Sequence, residues 1–159
     1  MKKIPFIVIF VFTLLASAQS NLPNTPLKKL YGGTTSLQEI AKENDLIVVS
    51  LWATWCQPCK NELDAISDVY SNWQEETNLI LYAISIDDSR TIKRVKPLVN
   101  GKDWDFEILL DTNNDLKRAL GAATVPKTLI IKNGEIVYKH SGYTPGYENE
   151  LYKEIKNYL

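Results

Sequence analysis

Cysteine is nearly absent from this chain. Its 159 residues carry two, together with a single histidine and a single methionine. So few thiols exclude a scaffold stapled by several disulfides. They also argue against a closed zinc centre, because structural zinc takes four ligands and the chain offers two thiols and one imidazole. A strong charge of either sign is missing too: 18 basic side chains face 19 acidic ones, for a net charge of −1. No basic block and no interleaving of arginine with aromatics occurs, so nucleic acid is not an expected partner. Internal repeats and low-complexity stretches are lacking, and a single run is apolar enough to concern a membrane.

That run is Ile4 to Leu15, twelve residues behind Lys2 and Lys3. It falls short of the ~20 residues a membrane span needs. A positive start, a short apolar stretch and then Ala16-Ser17-Ala18 read instead as a secretory signal peptide with a small-x-small cleavage site. Residues 1–18 are therefore expected to be removed on export, and membrane attachment is expected only if they are retained. The residue directly after Ala18 is glutamine rather than cysteine, which disfavours a lipid anchor at that point. The remaining 141 residues suffice for one domain with a real core.

Residues 19–35 read as a polar tail with prolines, followed by a short strand near Leu27–Tyr31. Ser36 and Glu39 stand in capping-box spacing ahead of a short helix. Leu46 to Trp52 is almost continuously apolar, as expected of a central strand covered on both faces. A helix is predicted from the cysteines onward, with Leu63, Ile66, Val69 or Tyr70, and Trp73 on its buried stripe. Strands are predicted at 79–86 and 106–110, and helices around Ile92–Leu98 and Leu116–Leu120. Asn133-Gly134 between two apolar runs is a strong hairpin signal, and Leu151 and Ile155 mark a final amphipathic helix. Strand-helix-strand units followed by a hairpin and a helix imply an α/β domain with a mixed sheet.

The two cysteines sit in Trp55-Cys56-Gln57-Pro58-Cys59. A bridge across two intervening residues constrains little of an unfolded chain, so stability alone does not account for it. At a helix start, unsatisfied N–H groups and the helix dipole stabilise a thiolate, which is the nucleophile of disulfide exchange. Pro58 suits the first turn, where a missing N–H costs nothing. Cys56 is expected to attack and Cys59, one turn along, to resolve the mixed disulfide. A copper-carrying role for Cys56, Cys59 and His140 is the metal-binding alternative.

The segment from Trp52 to Lys60 resembles the active site of the thioredoxin superfamily, and it is most similar to the exported TlpA/ResA-like thiol–disulfide oxidoreductases. Val125-Pro126 ahead of the hairpin, Gly142 after it, and extra sequence around 87–121 extend the resemblance over residues 36–159. It implies a thioredoxin-like fold, a central mixed sheet flanked by helices with a helix-strand insertion around 87–121. It implies an enzyme without cofactor that exchanges electrons with protein thiols and disulfides through a redox-active Cys56–Cys59 pair and is recharged by an upstream redox partner. Substrate contact falls to Trp55, Gln57, Pro58, Val125 and Pro126, with Pro126 as the family's cis-proline and Val125 as the edge that pairs with an extended substrate.

One departure concerns protons. Many thioredoxins carry a buried aspartate six residues before the first cysteine, and here that position is Ser50. Asp88, or its neighbour Asp87, is the expected substitute, with Glu107 a weaker candidate. A peroxidase of the peroxiredoxin type would carry threonine and proline where Ala53 and Val49 stand, so that activity is not expected. Reduction of specific partners is the expected direction, with an oxidase or isomerase as the alternative, because the motif itself does not set it: related dithiols span about −270 to −120 mV.

Overall fold

The computed structural model describes residues 22–159. The expected signal segment, residues 1–18, lies outside the described residues. Where the polar, proline-containing stretch suggests a loose tail, the chain is already anchored. Leu22 is buried and its carbonyl accepts a hydrogen bond from the Gln38 amide. Leu27 is fully buried at the start of strand β1 (Leu27–Lys29), which turns through Gly32-Gly33 into β2 (Thr34–Thr35). Both glycines have positive φ, a conformation that glycine adopts without Cβ strain. The folded unit therefore begins ahead of Ser36, because apolar Leu22 and Leu27 give that segment something to bury.

Ser36 caps helix α1 (Leu37–Glu43), its hydroxyl accepting the Glu39 N–H at 3.2 Å. Strand β3 (Leu46–Trp52) follows and is buried at every residue, which explains why its sequence does not alternate. The long helix α2 (Gln57–Thr77) leads to β4 (Ile80–Ser85), which pairs in parallel with β3. The expected insertion then unfolds as a tight turn at Ile92–Arg94, helix α3 (Val95–Asn100), strand β5 (Glu107–Leu110) and the short helix α4 (Asp115–Ala119). Strands β6 (Lys127–Lys132) and β7 (Glu135–Ser141) form the hairpin, with Asn133 and Gly134 both at positive φ as a type I′ turn requires. Helix α5 (Tyr147–Lys156) ends the fold.

One mixed sheet results, in the order β2-β1-β5-β4-β3-β6-β7. Its middle is parallel (β5, β4, β3) and its margins antiparallel. Helix α2 buries Leu63, Ile66, Tyr70 and Trp73, and Trp73 stacks on Tyr152 of α5 with ring centroids 5.1 Å apart. The insertion adds its own aromatic cluster: Trp104 meets Trp52 edge-on at 5.2 Å and stacks on Phe106 at 5.5 Å. Trp52 at the end of β3 is thus packed between the core and the insertion, one residue before the turn that carries the cysteines. No helix among the described residues is long and apolar enough to cross a membrane.

Candidate active site

The cysteines stand where the central strand gives way to the long helix. Cys56 is the N-cap of α2 in extended conformation, and its Sγ accepts the Cys59 backbone N–H at 3.3 Å. Pro58 occupies the first turn, where it forfeits no helical hydrogen bond. The two sulfurs are joined as a disulfide with Cα atoms 5.3 Å apart. Cys59 is completely inaccessible, whereas Cys56 retains 5% exposure beside the exposed Trp55, Gln57 and Pro58. An incoming sulfur therefore reaches Cys56 first. Once reduced, a Cys56 thiolate would keep the N-cap hydrogen bond and lie in the positive field of the helix N-terminus.

The other wall comes from the strand beside β3. Leu51 pairs with Lys127, so the register brings Val125-Pro126 to the same sheet end as the cysteine turn. That peptide bond is cis. Val125 is half-buried, Pro126 is buried, and the Pro126 carbonyl accepts the Gly142 N–H at 2.9 Å. Sequence put Trp55, Gln57, Pro58, Val125 and Pro126 forward as substrate contacts, and the topology brings all five to one end of the sheet.

The acid next to the dithiol is one that sequence reasoning passed over. Glu62, on α2 three residues after Cys59, is fully buried. Its two carboxylate oxygens accept hydrogen bonds from Ser50 Oγ and Thr128 Oγ1, each at 2.8 Å. Ser50 and Thr128 are register partners across β3 and β6, so two strands present hydroxyls to one helix side chain. Burial drives the Glu62 carboxyl up to about 7, and the two hydroxyl donors only partly oppose it. The signal was present in the sequence. Cys59, Glu62, Leu63 and Ile66 follow helical spacing, and a lone charge within a buried stripe requires a partner or a function.

The two aspartates put forward from sequence occupy different settings. Asp87 is buried at the end of β4 and serves as a clamp. Its carboxylate accepts the Thr54 N–H at 2.8 Å, the Thr54 hydroxyl at 2.6 Å and the Ser85 hydroxyl at 2.8 Å. It thereby fixes the turn that precedes Cys56. Asp88 faces solvent and is engaged by Arg90 through the backbone N–H at 3.0 Å and the guanidinium at 2.7 Å. These hydrogen bonds hold its carboxyl below the usual range, which makes it a poor proton acceptor. Glu107 is exposed on β5. His140 lies on β7 with its ring stacked 3.9 Å over Tyr147, and no cluster of metal-ligating side chains is found among the described residues.

The clamp has a measurable consequence. Asp87→Ala would strand the buried Thr54 N–H and hydroxyl without an acceptor, at a cost of about 2–3 kcal/mol, whereas Thr54→Ala should cost about 1 kcal/mol. Urea unfolding of the oxidised proteins measures both.

Residues 18–140 match the AhpC/TSA family. Over 91 residues the chain is 32% identical to the thiol-disulfide oxidoreductase ResA of Oceanobacillus iheyensis, covering 57% of this chain and 46% of that protein. The chain thus spans about half the length of that curated relative. The solution structure of an uncharacterized thioredoxin-like protein from Porphyromonas gingivalis is 42% identical, with a TM-score of 0.75 over 88% of this chain and 92% of that one. A putative thiol:disulfide interchange protein DsbE from Chlorobium tepidum shares the fold at a TM-score of 0.73 and 19% identity, over 85% of this chain and 92% of that one.

Proposed function

The chain belongs to the AhpC/TSA family and is thioredoxin-like, and on that footing we propose that it is an extracytoplasmic thiol–disulfide oxidoreductase that reduces protein disulfides. The observation that carries this reading is the Cys56–Cys59 disulfide at the N-terminus of α2 with the buried acid Glu62 one turn beyond it. In the reduced protein the Cys56 thiolate attacks one sulfur of the partner's disulfide, forming a mixed disulfide and releasing one partner thiolate. Cys59 then surrenders its proton to Glu62 and attacks Cys56 Sγ, which releases the second partner thiolate. Two electrons pass to the partner and the Cys56–Cys59 bond is restored.

Side chains three apart on a helix have Cβ atoms ~5–6 Å from each other, so Glu62 stands within reach of the resolving thiol. A carboxyl poised near 7 can accept that proton at neutral pH and give it up again when the dithiol is recharged. Glu62 thus takes the part that sequence assigned to Asp88. Electron flow toward the partner is favoured by what surrounds Cys56. A strong oxidant needs its reduced form stabilised. Here the Cys56 sulfur receives one hydrogen bond, and the ionisable groups buried on its helix, Glu62 and Tyr70, supply no positive charge. Val125 supplies the edge for an extended substrate strand, and residues 1–18 supply the export signal.

Equilibrating the purified protein with glutathione tests the direction, and a peptide disulfide tests the exchange. The expected potential lies toward the thioredoxin end of the range, about −270 mV. A value near −120 mV would overturn the reductase reading in favour of an oxidase or isomerase. N-terminal sequencing of the exported protein should begin at Gln19.

A further inference from the structure

One flank of the active site carries charge for which the exchange reaction has no use. A cleft of about 440 Å³ opens beside Trp55, lined by Arg90, Arg94 and Lys117 against a single acid, Asp88. Asp88 already pairs with Arg90 at 2.7 Å. Arg94 and Lys117 form no ion pair among the described residues. A second hollow of about 490 Å³ shares Asn114 and Lys117 with the first, and continues past Arg118 to Ala122 and Ala123, just ahead of Val125-Pro126. Together they form a trough that leads from Trp55 along the insertion as far as Ala122 and Ala123. Its excess is positive, although residues 22–159 carry 16 basic against 19 acidic side chains.

The wall is held in place by local hydrogen bonds. Buried Asp111 accepts the Leu116 and Lys117 backbone N–H groups at 3.2 and 2.9 Å, fixing the start of α4. Asn114, at positive φ, donates its amide to the Ile86 carbonyl at 3.3 Å. Lys117 is therefore carried on a fixed helical turn, and Arg94 projects from the tight turn ahead of α3. The insertion, rather than the minimal fold, provides these cations.

We propose that this trough receives an acidic segment of the partner protein lying to one side of its reactive cysteine, so that Arg94 and Lys117 select which disulfides reach Cys56. The proposal rests on the exchange reading above. Opposite charges converging on a cleft raise encounter rates by about tenfold or more, and the gain falls with salt because the Debye length is ~10 Å at 0.1 M.

The test compares matched peptide disulfides whose cysteine is flanked by a run of aspartate, serine or lysine. At low ionic strength the wild-type protein should react about tenfold faster with the aspartate peptide than with the lysine peptide, and salt should erase most of the difference. Arg94→Glu combined with Lys117→Glu should reverse the order while leaving the serine peptide unaffected. The oxidised protein, titrated with the same peptides carrying serine in place of cysteine, provides a reading independent of exchange. There the Trp55 indole resonance should shift with the aspartate peptide and stay put in the charge-reversed variant. Such binding without turnover of any peptide would sustain the trough and overturn the exchange reading. Equal rates for all three peptides, or a preference that survives charge reversal, would overturn the trough. Saturable binding of inorganic phosphate with no discrimination among peptides would overturn it in favour of a small-anion site.

Discussion

Cys56→Ser protein should exchange no disulfide above the uncatalysed background, while Cys59→Ser protein should attack once and remain joined to its partner. The asymmetry follows from access and from the helix. Cys56 keeps a little exposure at the N-cap, and Cys59 has none. A thiolate at the N-cap is stabilised by the Cys59 N–H and by the helix dipole, whereas serine at either position remains a protonated, feeble nucleophile. Without the Cys59 thiol, nothing inside the protein can attack the mixed disulfide, so the adduct accumulates. Non-reducing electrophoresis followed by mass spectrometry reads the adduct directly. Trapping by Cys56→Ser instead would reverse the two roles. Misfolding is not the expected cause of either loss. A bridge closing so small a loop contributes no more than about 2 kcal/mol by loop entropy, and urea unfolding of both variants checks this.

Glu62→Gln should leave the first attack unchanged and slow the second. General-base help is worth about 10²–10⁴-fold, so resolution of the mixed disulfide should fall by at least about a hundredfold at neutral pH. Its pH profile should also lose the inflection near 7 that the wild-type carboxyl imposes. Glutamine can keep both neighbours, accepting from one hydroxyl and donating to the other. Asp88→Ala, altering an exposed group occupied by Arg90, should leave resolution unchanged. Rapid-quench measurement of mixed-disulfide decay separates these outcomes, and an Asp88→Ala defect with normal Glu62→Gln kinetics would return the proton role to Asp88.

The same carboxyl makes stability depend on pH in a defined direction. An unfolded glutamate releases its proton near 4.5, and the folded one holds it to about 7. Between those values the folded state retains a proton that the unfolded state has lost. Stability from this group is therefore complete below about pH 4.5 and is lost as pH rises through about 7, for a total of about 3 kcal/mol. Glu62→Gln removes the titration, so its stability relative to wild type should rise across that window. Chemical denaturation at a series of pH values measures the difference.

What could be read from residues alone was whatever depends on local order. Cys56 at a helix start, Pro58 in the first turn, the apolar run Leu46–Trp52 and the Asn133-Gly134 turn each state their conformation through near neighbours. The strands, helices and dithiol were accordingly legible, and so was the likeness to thioredoxins. Misreading began where distant segments meet. Leu22 sits among prolines and polar residues and looks like part of a tail, yet it is buried, and the short strand expected from Leu27 finds its partner in β5, far along the chain. Asp87 and Asp88 are adjacent in sequence and part in space, one clamped inside against Thr54 and the other turned out toward Arg90.

Ser50 shows the division most plainly. By itself it marks the loss of a buried acid from the central strand. In the folded protein its hydroxyl meets Glu62, an acid supplied from the facing helix, with Thr128 completing the pair of donors. Sequence determined that this chain is a mixed α/β domain with a dithiol at the head of its long helix, because propensity, capping and hydrophobic spacing act over a few residues. Only tertiary structure decided which acid is buried on the dithiol's helix and where the cations of the insertion gather. Burial and charge are set by residues far apart in the chain that share one small volume.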